Sequence, residues 1–564
     1  MRRLPDGQIV FESPADVPPV AMTLSSTAWN RTGDWRSREP VFRDVTPPCA
    51  FACPAALDVV DQVRLMGQGR VRDAGEVILS ANPFPATTGR VCPHPCTAAC
   101  NRARMDGAVD VPGVERALGD ALLAEGFELA RRGGAGGRVA VVGAGPAGVS
   151  AAHYLALGGH DVTLFDRDAR PGGLLRSGIP PYRLPREVLD GEMARALRPG
   201  VRFEGGRALG AGLDLGELER EHDAVLVAVG RHAPRGMGVP GEGAEGVVDG
   251  LALLAALHRG EPAPAGRRAV VVGGGNTALD CARSLRRRGL EVVVAYRRAR
   301  TDMPAFADEV EEAREEGIEV EEWLVPAEVR AVGGRVRAVA FARARPGPPD
   351  ASGRPRPVVV PGSEVALEAE VVVVAAGESL DATGLPREWV QAGAVVPRDG
   401  SAGRVLALGD CGGGGGTVAH AIGAGRRAAA EVSARLGGVA PPLDLLAERG
   451  AGPGVAGFDR IRPAWYRPVP AAPRGHEDAA GRRGDDREVR RGFSRAEACD
   501  EAARCLACGT CAGCDVCYQL CPERAVVRGA PGAYRVDRTR CKGCGVCVQE
   551  CPRGAIELRE LGGA

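Results

Sequence analysis

The sequence predicts an α/β protein with two parallel-sheet units, preceded by a helical cysteine-bearing segment and followed by a compact cysteine-rich module. Three observations predict it. Two stretches, RVAVVGAGPAGVSAAHYLALGGHDVTLFD (138–166) and RRAVVVGGGNTALDCARSLRRRGLEVVVAYRR (267–298), run strand, glycine turn, helix, strand, which is the βαβ pattern of a parallel sheet. The chain has 564 residues, enough for roughly three or four domains at about 150 residues each. Its 18 cysteines gather at Cys49–Cys100 and Cys499–Cys551, with only Cys281 and Cys411 between, and clustered thiols in a large chain point to metal ligation over a disulfide scaffold.

Charge excludes some classes of function. Lys+Arg and Asp+Glu both number 72, so no global basic field exists to draw nucleic acid or an anionic membrane. Lys542 is the sole lysine, and with 80 glycines the arginine excess reads as coding bias. No apolar run reaches the roughly 18 residues of a spanning helix. Arg2 and Arg3 have no apolar stretch behind them, so neither export signal is expected and a reducing cytoplasm is the expected compartment.

Along the chain, residues 1–35 lack periodicity and read as an irregular arm. From Asp58 the apolar spacing predicts short helices, and Pro112–Arg132 predicts another. The Pro- and Gly-dense stretch 342–362 predicts an exposed hairpin tip, and 437–495, rich in Pro, Gly and Arg, a long wrapping linker.

The first glycine turn is Gly143-x-Gly145-x-x-Gly148. The first glycine allows the tight bend, the second lets backbone approach a pyrophosphate, and the third lets helix pack on strand. The helix N-terminus then attracts phosphate charge. Asp166 ends the following strand, where a carboxylate can accept from a ribose hydroxyl. The second turn, Gly273-x-Gly275-x-x-Ala278 with Asn276 next to its central glycine, ends at Tyr296-Arg297-Arg298 with no acid. Guanidinium groups there can clamp a 2′-phosphate, favouring NADP(H) over NAD(H), although arginines decorating an arginine-rich surface are the alternative. Two dinucleotide sites in one chain suggest one flavin and one nicotinamide. Asp410, after a strand, and Gly425, in a helix of small residues, add to the flavin reading.

The ordered series GAGPAG, PGGLLRSGIPPYRLP (171–185), VAVG (227–230), VVGGGNTALD, YRR, DMPA and ALGD resembles the small subunit of glutamate synthase and the flavin half of dihydropyrimidine dehydrogenase, over about residues 45–435. The resemblance implies that the first turn holds FAD, with Gly172 and Gly173 near the flavin and Gly409-Asp410 on its ribityl and pyrophosphate region, and that NADPH delivers hydride to it. An ordinary glycine turn is the alternative at each of these positions. The family carries an N-terminal helical domain with iron-sulfur clusters, and by position Cys53, Cys92, Cys96 and Glu115 would hold one 4Fe-4S cluster. The family's upstream C-x2-C pair is absent before Cys49, which leaves Cys49 and Cys100 as half a site.

At the other end, Cys511-x2-Cys514-x2-Cys517-x3-Cys521-Pro and Cys541-x2-Cys544-x2-Cys547-x3-Cys551-Pro are two bacterial ferredoxin runs, in which the fourth cysteine of each ligates the other cluster. One cluster would take Cys511, Cys514, Cys517 and Cys551, the other Cys541, Cys544, Cys547 and Cys521; zinc is the alternative metal. Cys505 and Cys508 remain, and resemble the family's missing pair displaced to this end. They are expected to fold back onto Cys49 and Cys100 as a fourth cluster, with free thiols as the alternative. Cys281, Cys411 and Cys499 are expected to be unligated, and His94, His153, His160 and His420 to be packing or surface residues, so no protein side chain is expected to act as catalyst.

The expected organisation is therefore an arm at 1–35, a helical iron-sulfur domain at 36–134, a Rossmann-like FAD-binding domain at 135–262 and 386–436, a Rossmann-like NADP(H)-binding domain at 263–385, a linker at 437–495, and a bacterial ferredoxin-like α+β domain at 496–564. The expected activity is electron transfer from NADPH through FAD and 4Fe-4S clusters, three or four of them, to an electron-accepting protein. That partner would be a ferredoxin or a larger subunit, such as a glutamate synthase large subunit or a 2-oxoacid:ferredoxin oxidoreductase. An electron-transfer subunit inert outside its complex is the alternative, and a self-contained reductase of a small molecule is the least supported.

Overall fold

The computed structural model describes residues 2–3, 5, 9–10, 12–16, 31–134, 136–397, 404–443, 452–482, 484–529 and 533–561. Val- and Ala-rich segments form two five-stranded sheets, parallel throughout. The first runs in the order 405–407, 224–227, 138–142, 161–166, 201–205. The second runs 247–249, 371–374, 268–272, 291–296, 319–322. The chain leaves the first sheet to build the second and returns to add 405–407 at the first sheet's edge. Strands buried on both faces read as unbroken apolar runs, and Ala224–Val227 and Val371–Val374 are buried at every position.

Several expected boundaries shift. Strand Val247–Asp249 pairs with Val371–Val374 in the second sheet, and Leu253, Leu254 and Leu257 of the helix behind it join that sheet's core. The second unit thus begins near residue 247, not 263, because these leucines bury against helix Asn276–Arg287. The helix expected over 112–132 is Val111–Ala124, ending just before Gly126 turns left-handed (φ 61). Most of 342–362 is paired strand, since Arg335–Pro349 and Pro355–Glu368 form a hairpin whose tip is 350–354. Register shifts at 342/344 and 346/349 interrupt the pairing within this proline-bearing stretch, as bulges do where a ladder donor is missing.

The two ends of the chain are interleaved. Strand Arg38–Phe42, expected in the helical domain, pairs antiparallel with Ile556–Glu560. Gly33 N–H donates to the Thr539 carbonyl at 3.0 Å, so the end of the arm also lies on the C-terminal module. Helix Arg495–Ala503 packs on Val59–Gly67 and Val111–Ala124 of the helical segment, burying Ala498 and Ala502 in its core.

The linker is tied down. Strand Gly452–Val455 pairs with Val45–Thr46, and Arg490 reaches Glu312 at 2.7 Å. That contact belongs to a buried ionic network. Arg283, 0% exposed, meets Glu309, Glu312 (2.9 Å) and Glu316 (2.8 Å). Arg183 of the first unit meets Asp280 (2.7 Å) and Glu309 (3.0 Å), and the Tyr182 ring lies under Arg287 at 4.1 Å. The network joins the first unit, the second unit and the linker. Breaking one member of such a set leaves charge buried without a partner, at about 3–5 kcal/mol. Arg283→Ala is therefore expected to lower the thermal unfolding midpoint and to speed proteolysis within 437–495, both readable on the full-length protein.

Candidate functional site

At the first glycine turn the backbone geometry is sterically enforced. Gly143 has φ 107, and a Cβ there would overlap the Ala228 carbonyl. A Cβ on Gly148 would overlap the Gly143 carbonyl. Gly145 differs, because a Cβ on it would meet no protein atom within 4 Å, and it is the N-cap of helix Pro146–Leu157, whose start has no side-chain cap. Unsatisfied N–H groups beside open space form an anion site.

The other expected residues gather at the same helix start. Gly172 N–H donates to Ala144 O at 2.8 Å, and a Cβ on Gly173 would come within 2.9 Å of Gly145 Cα. A Cβ on Gly409 would come within 2.8 Å of Ala147 Cβ, and one on Gly425 would overlap the Ala147 carbonyl. Asp410 accepts from Gly416 N–H at 3.1 Å. Asp166 accepts from the N–H of Ala144 and, at 2.8 Å, of Asp168. Burial raises its pKa despite these bonds. Its carboxylate thus braces the turn, a role beyond the ribose contact expected from sequence.

The second turn repeats the arrangement. A Cβ on Gly273 would overlap the Ala375 carbonyl, whereas Gly275 again faces space with no atom within 4 Å. Tyr296 lies so close over Gly274 that a Cβ there would overlap its ring. Asn276 Oδ1 accepts from Phe306 N–H at 3.0 Å, tying the turn to the loop after DMPA. The arginine pair divides. Arg297 is exposed, but Arg298 is buried, donating to the Pro355 carbonyl at 2.8 Å and pairing with Asp350. The two guanidinium groups expected to act together are therefore separated, Arg298 being engaged by the hairpin and Arg297 left at the surface.

Glu115 lies in the helical segment beside Cys53, Cys92 and Cys96, and its charge acts on all three thiols. One carboxylate oxygen accepts from Asn82 Nδ2 at 2.9 Å and from Thr88 Oγ1. The other stands 3.6 Å from His94 Nε2. Burial first, then Glu115, pushes the Cys92 thiol up to about 12, so metal loading here must displace a proton. Helix Val418–Leu436, which follows Asp410, reaches the Cys53 loop. A Cβ on Gly423 would overlap the Pro54 carbonyl, and Arg426 donates to Ala56 O at 3.3 Å.

In the C-terminal module Cys511, Cys514, Cys517 and Cys551 line one pocket. Cys521, Cys541, Cys544 and Cys547 line another. The fourth cysteine of each run stands in the other run's cavity. Cys514 and Cys544 are exposed. Cys49, Cys100, Cys505 and Cys508 also come together, as described below. Among the described residues, no three Cys, His, Asp or Glu side chains are gathered tightly enough for a single metal ion.

Cys281, Cys411 and the four histidines expected to be packing or surface residues have structural partners. Cys281 and Cys411 are buried and donate to Gly250 O (3.3 Å) and Leu408 O (3.2 Å). His153 bonds to Ala196 O (2.9 Å), and burial lowers its pKa to about 4. His160 bonds to Ser433 Oγ, His420 to Thr417 Oγ1 and His94 to Cys92 O. One buried group has no local sequence signal: Glu192, whose oxygens accept from Ala86 N–H and Thr87 N–H at 2.8 Å each and so dock the helical segment on the first sheet.

Residues 137–425 match the pyridine nucleotide-disulphide oxidoreductase model, 43–127 the dihydropyrimidine dehydrogenase domain II, 4Fe-4S cluster model, and 534–557 a 4Fe-4S binding domain. The chain is 36% identical over 504 residues to the NADP(+)-dependent formate dehydrogenase subunit beta of Moorella thermoacetica, covering 82% of this chain and 71% of that one. It is 37% identical over 350 residues to the NADPH-Fe(3+) oxidoreductase subunit beta of Geobacter sulfurreducens, covering 60% and 52%. It is 35% identical over 348 residues to the glutamate synthase [NADPH] small chain of Escherichia coli, covering 59% and 74%. Against the Geobacter relative, the chain spans about half the partner's length.

The glycines separate fold from binding. Gly275→Val is expected to leave the unfolding midpoint near that of the parent and to weaken NADPH binding by about tenfold or more, since 1.4 kcal/mol of lost contact is tenfold. Gly148→Val is expected to fail to fold, because its side chain would have to displace backbone. Thermal unfolding with NADPH titration distinguishes the two.

Proposed function

The chain belongs to the pyridine nucleotide-disulphide oxidoreductase family, and on that premise we propose that it delivers electrons from NADPH to a separate acceptor protein, a ferredoxin or a larger oxidoreductase subunit. Its class is that of an NADPH-dependent, FAD- and 4Fe-4S-containing electron-transfer oxidoreductase. When bound, FAD would divide the electron pair of NADPH into single electrons and the clusters would carry them, chemistry that belongs to the cofactors. What the chain contributes is position. Gly145 opens the first helix start to a pyrophosphate, Asp166 braces that turn, and Asp410 lies beside it. Gly275 opens the second turn, and the exposed Arg297 is the partner proposed for a 2′-phosphate. Cys53, Cys92, Cys96 and Glu115 are the ligands proposed for the cluster nearest the flavin site.

The observation that carries this reading is the helix Val418–Leu436, which touches both the first glycine turn through Gly425 and the Cys53 loop through Gly423. One rigid element thereby sets the flavin site against the first thiol group. Exit toward a protein acceptor is supported by exposed Cys514 and Cys544, with Tyr518 and Leu520 each 40% exposed beside them. Among the described residues, no helix is long and apolar enough to cross a membrane.

NADPH-driven reduction of viologen or ferredoxin by the anaerobically purified chain tests the proposal. Reduction by the isolated chain is expected. Activity appearing only with an added large subunit would favour the alternative, a subunit inert outside its complex, which the two "subunit beta" relatives make worth testing. Arg297→Ala is expected to cut the NADPH over NADH preference by about ten- to a hundredfold, as loss of a charge-assisted hydrogen bond worth about 1.5–3 kcal/mol requires. Arg298→Ala should leave that preference intact and loosen the 335–368 hairpin.

A further inference from the structure

The two end regions of the chain also meet at four cysteines. Cys49 lies on the short helix Pro48–Ala52 and Cys100 just ahead of the turn Asn101–Arg104. Cys505 and Cys508 follow helix Arg495–Ala503. Cys49 is within electrostatic reach of Cys505, Cys508 and Cys100, and Cys505 and Cys508 of Cys100. The backbone around them is interlocked. Val45 N–H donates to Gly509 O at 2.9 Å, a Cβ on Gly509 would overlap the Val45 carbonyl, and Tyr466 Oη donates to Leu506 O at 2.8 Å.

The loop Cys505-Leu506-Ala507-Cys508 has the conformation of the two ferredoxin loops beside it. In Cys511-Ala512-Gly513-Cys514 and Cys541-Lys542-Gly543-Cys544 the third residue is left-handed, φ 70 and φ 71, and its N–H donates to the first cysteine's sulfur. In the 505–508 loop the third residue is Ala507, also left-handed at φ 45, and its N–H donates to Cys505 Sγ at 3.4 Å. Alanine adopts this conformation at a cost of about 1–2 kcal/mol, and such strain persists where the surroundings over-determine it. Asn101 Nδ2 adds a second donor, 3.4 Å from Cys508 Sγ. Donors aimed at sulfur, in a loop wrapped as the two ferredoxin loops are wrapped, suit thiolates that ligate metal.

We propose that Cys49, Cys100, Cys505 and Cys508 hold a 4Fe-4S cluster of their own, a composite site with two ligands from each end region of the chain. It rests on the reading of the chain as an iron-sulfur flavoprotein. The site occupies the gap in a row of thiol groups. Cys49 also faces Cys96 of the flavin-side group. On the other side Tyr466 is held among Cys505, Cys508 and Cys551, and Cys551 belongs to the first ferredoxin cavity. The cluster therefore also staples the C-terminal module to the helical segment.

The test is iron, acid-labile sulfide, zinc and flavin per chain in the full-length protein purified anaerobically. About sixteen irons are expected, four for each of four clusters, falling to about twelve in Cys505→Ser/Cys508→Ser and equally in Cys100→Ser, with flavin retained. Cys499→Ser should keep all sixteen. Reduced samples of the variants should lose one cluster's intensity by low-temperature electron paramagnetic resonance, and 437–495 should be cut faster by protease. About twelve irons in the parent, or twelve with one zinc, would overturn the composite cluster, as would a double variant whose iron does not fall. Failure of the underlying reading looks different, since flavin and iron would then both be missing. If the double variant does not fold, Cys100→Ser, which leaves the 505–508 loop intact, decides the question.

Discussion

Arg504 is the interaction on which the assembly of the two ends depends. It is 4% exposed, and its guanidinium donates to Glu501, to Asp106 and to the carbonyls of Gly107, Ala108 and Val469. Arg102, equally buried, donates to the Arg504 carbonyl and pairs with Asp106 at 2.7 Å. A charge in this setting costs several kcal/mol unless every donor finds a partner, and here the partners come from three separated stretches of chain. The clasp presents Cys505 and Cys508 to Cys100 and lets the linker pass between.

Much of the dinucleotide architecture was legible in the sequence because its constraints are local. Gly148 is dictated by the Gly143 carbonyl five residues before it, so its spacing is readable from the motif itself, while Gly143 is held by its left-handed φ and by the Ala228 carbonyl just past the neighbouring strand. The ferredoxin runs are legible for the same reason, since three of the four cysteines lining each cavity stand at short, fixed intervals and the fourth comes from the other run. What could not be read is the long-range pairing. Nothing near Arg298 says that Asp350 will take it, and nothing near Glu192 announces the N–H groups of Ala86 and Thr87. The boundary at 247 escaped because a short Val-Val-Asp strand carries little pattern until its partner Val371–Val374 is known. The linker's composition suggested wrapping, but its anchors, Glu312 for Arg490 and Val45 for Gly452, lie far away in sequence.

The two glycine turns use one steric solution with different third residues. Gly148 must be glycine because the Gly143 carbonyl fills its Cβ position, whereas Ala278 stands at the matching place in the second turn. The first helix is also clamped on its other side by Val418–Leu436 at a contact only Gly425 permits, while Gly423 lets the same long helix approach the Cys53 loop. Close backbone packing of this kind resists relative sliding, and it is concentrated where the first turn and the Cys53 loop share an element. The second unit is attached by side chains instead, through Arg183, Asp280 and Arg283.

Strand Arg38–Phe42 finds its partner in Ile556–Glu560, and Glu39, buried between them, pairs with Arg559 across 520 residues of sequence. During synthesis that early strand emerges with its edge unpaired and its carboxylate without a guanidinium, and it stays so until nearly the whole described chain has been made. Unpaired edges template association with other chains, and contacts of this separation form late because the loop must close before they reward it. Pro40, in the middle of the strand, lacks the donor that a wrongly paired neighbour would use, which makes the waiting edge a poorer template for aggregation.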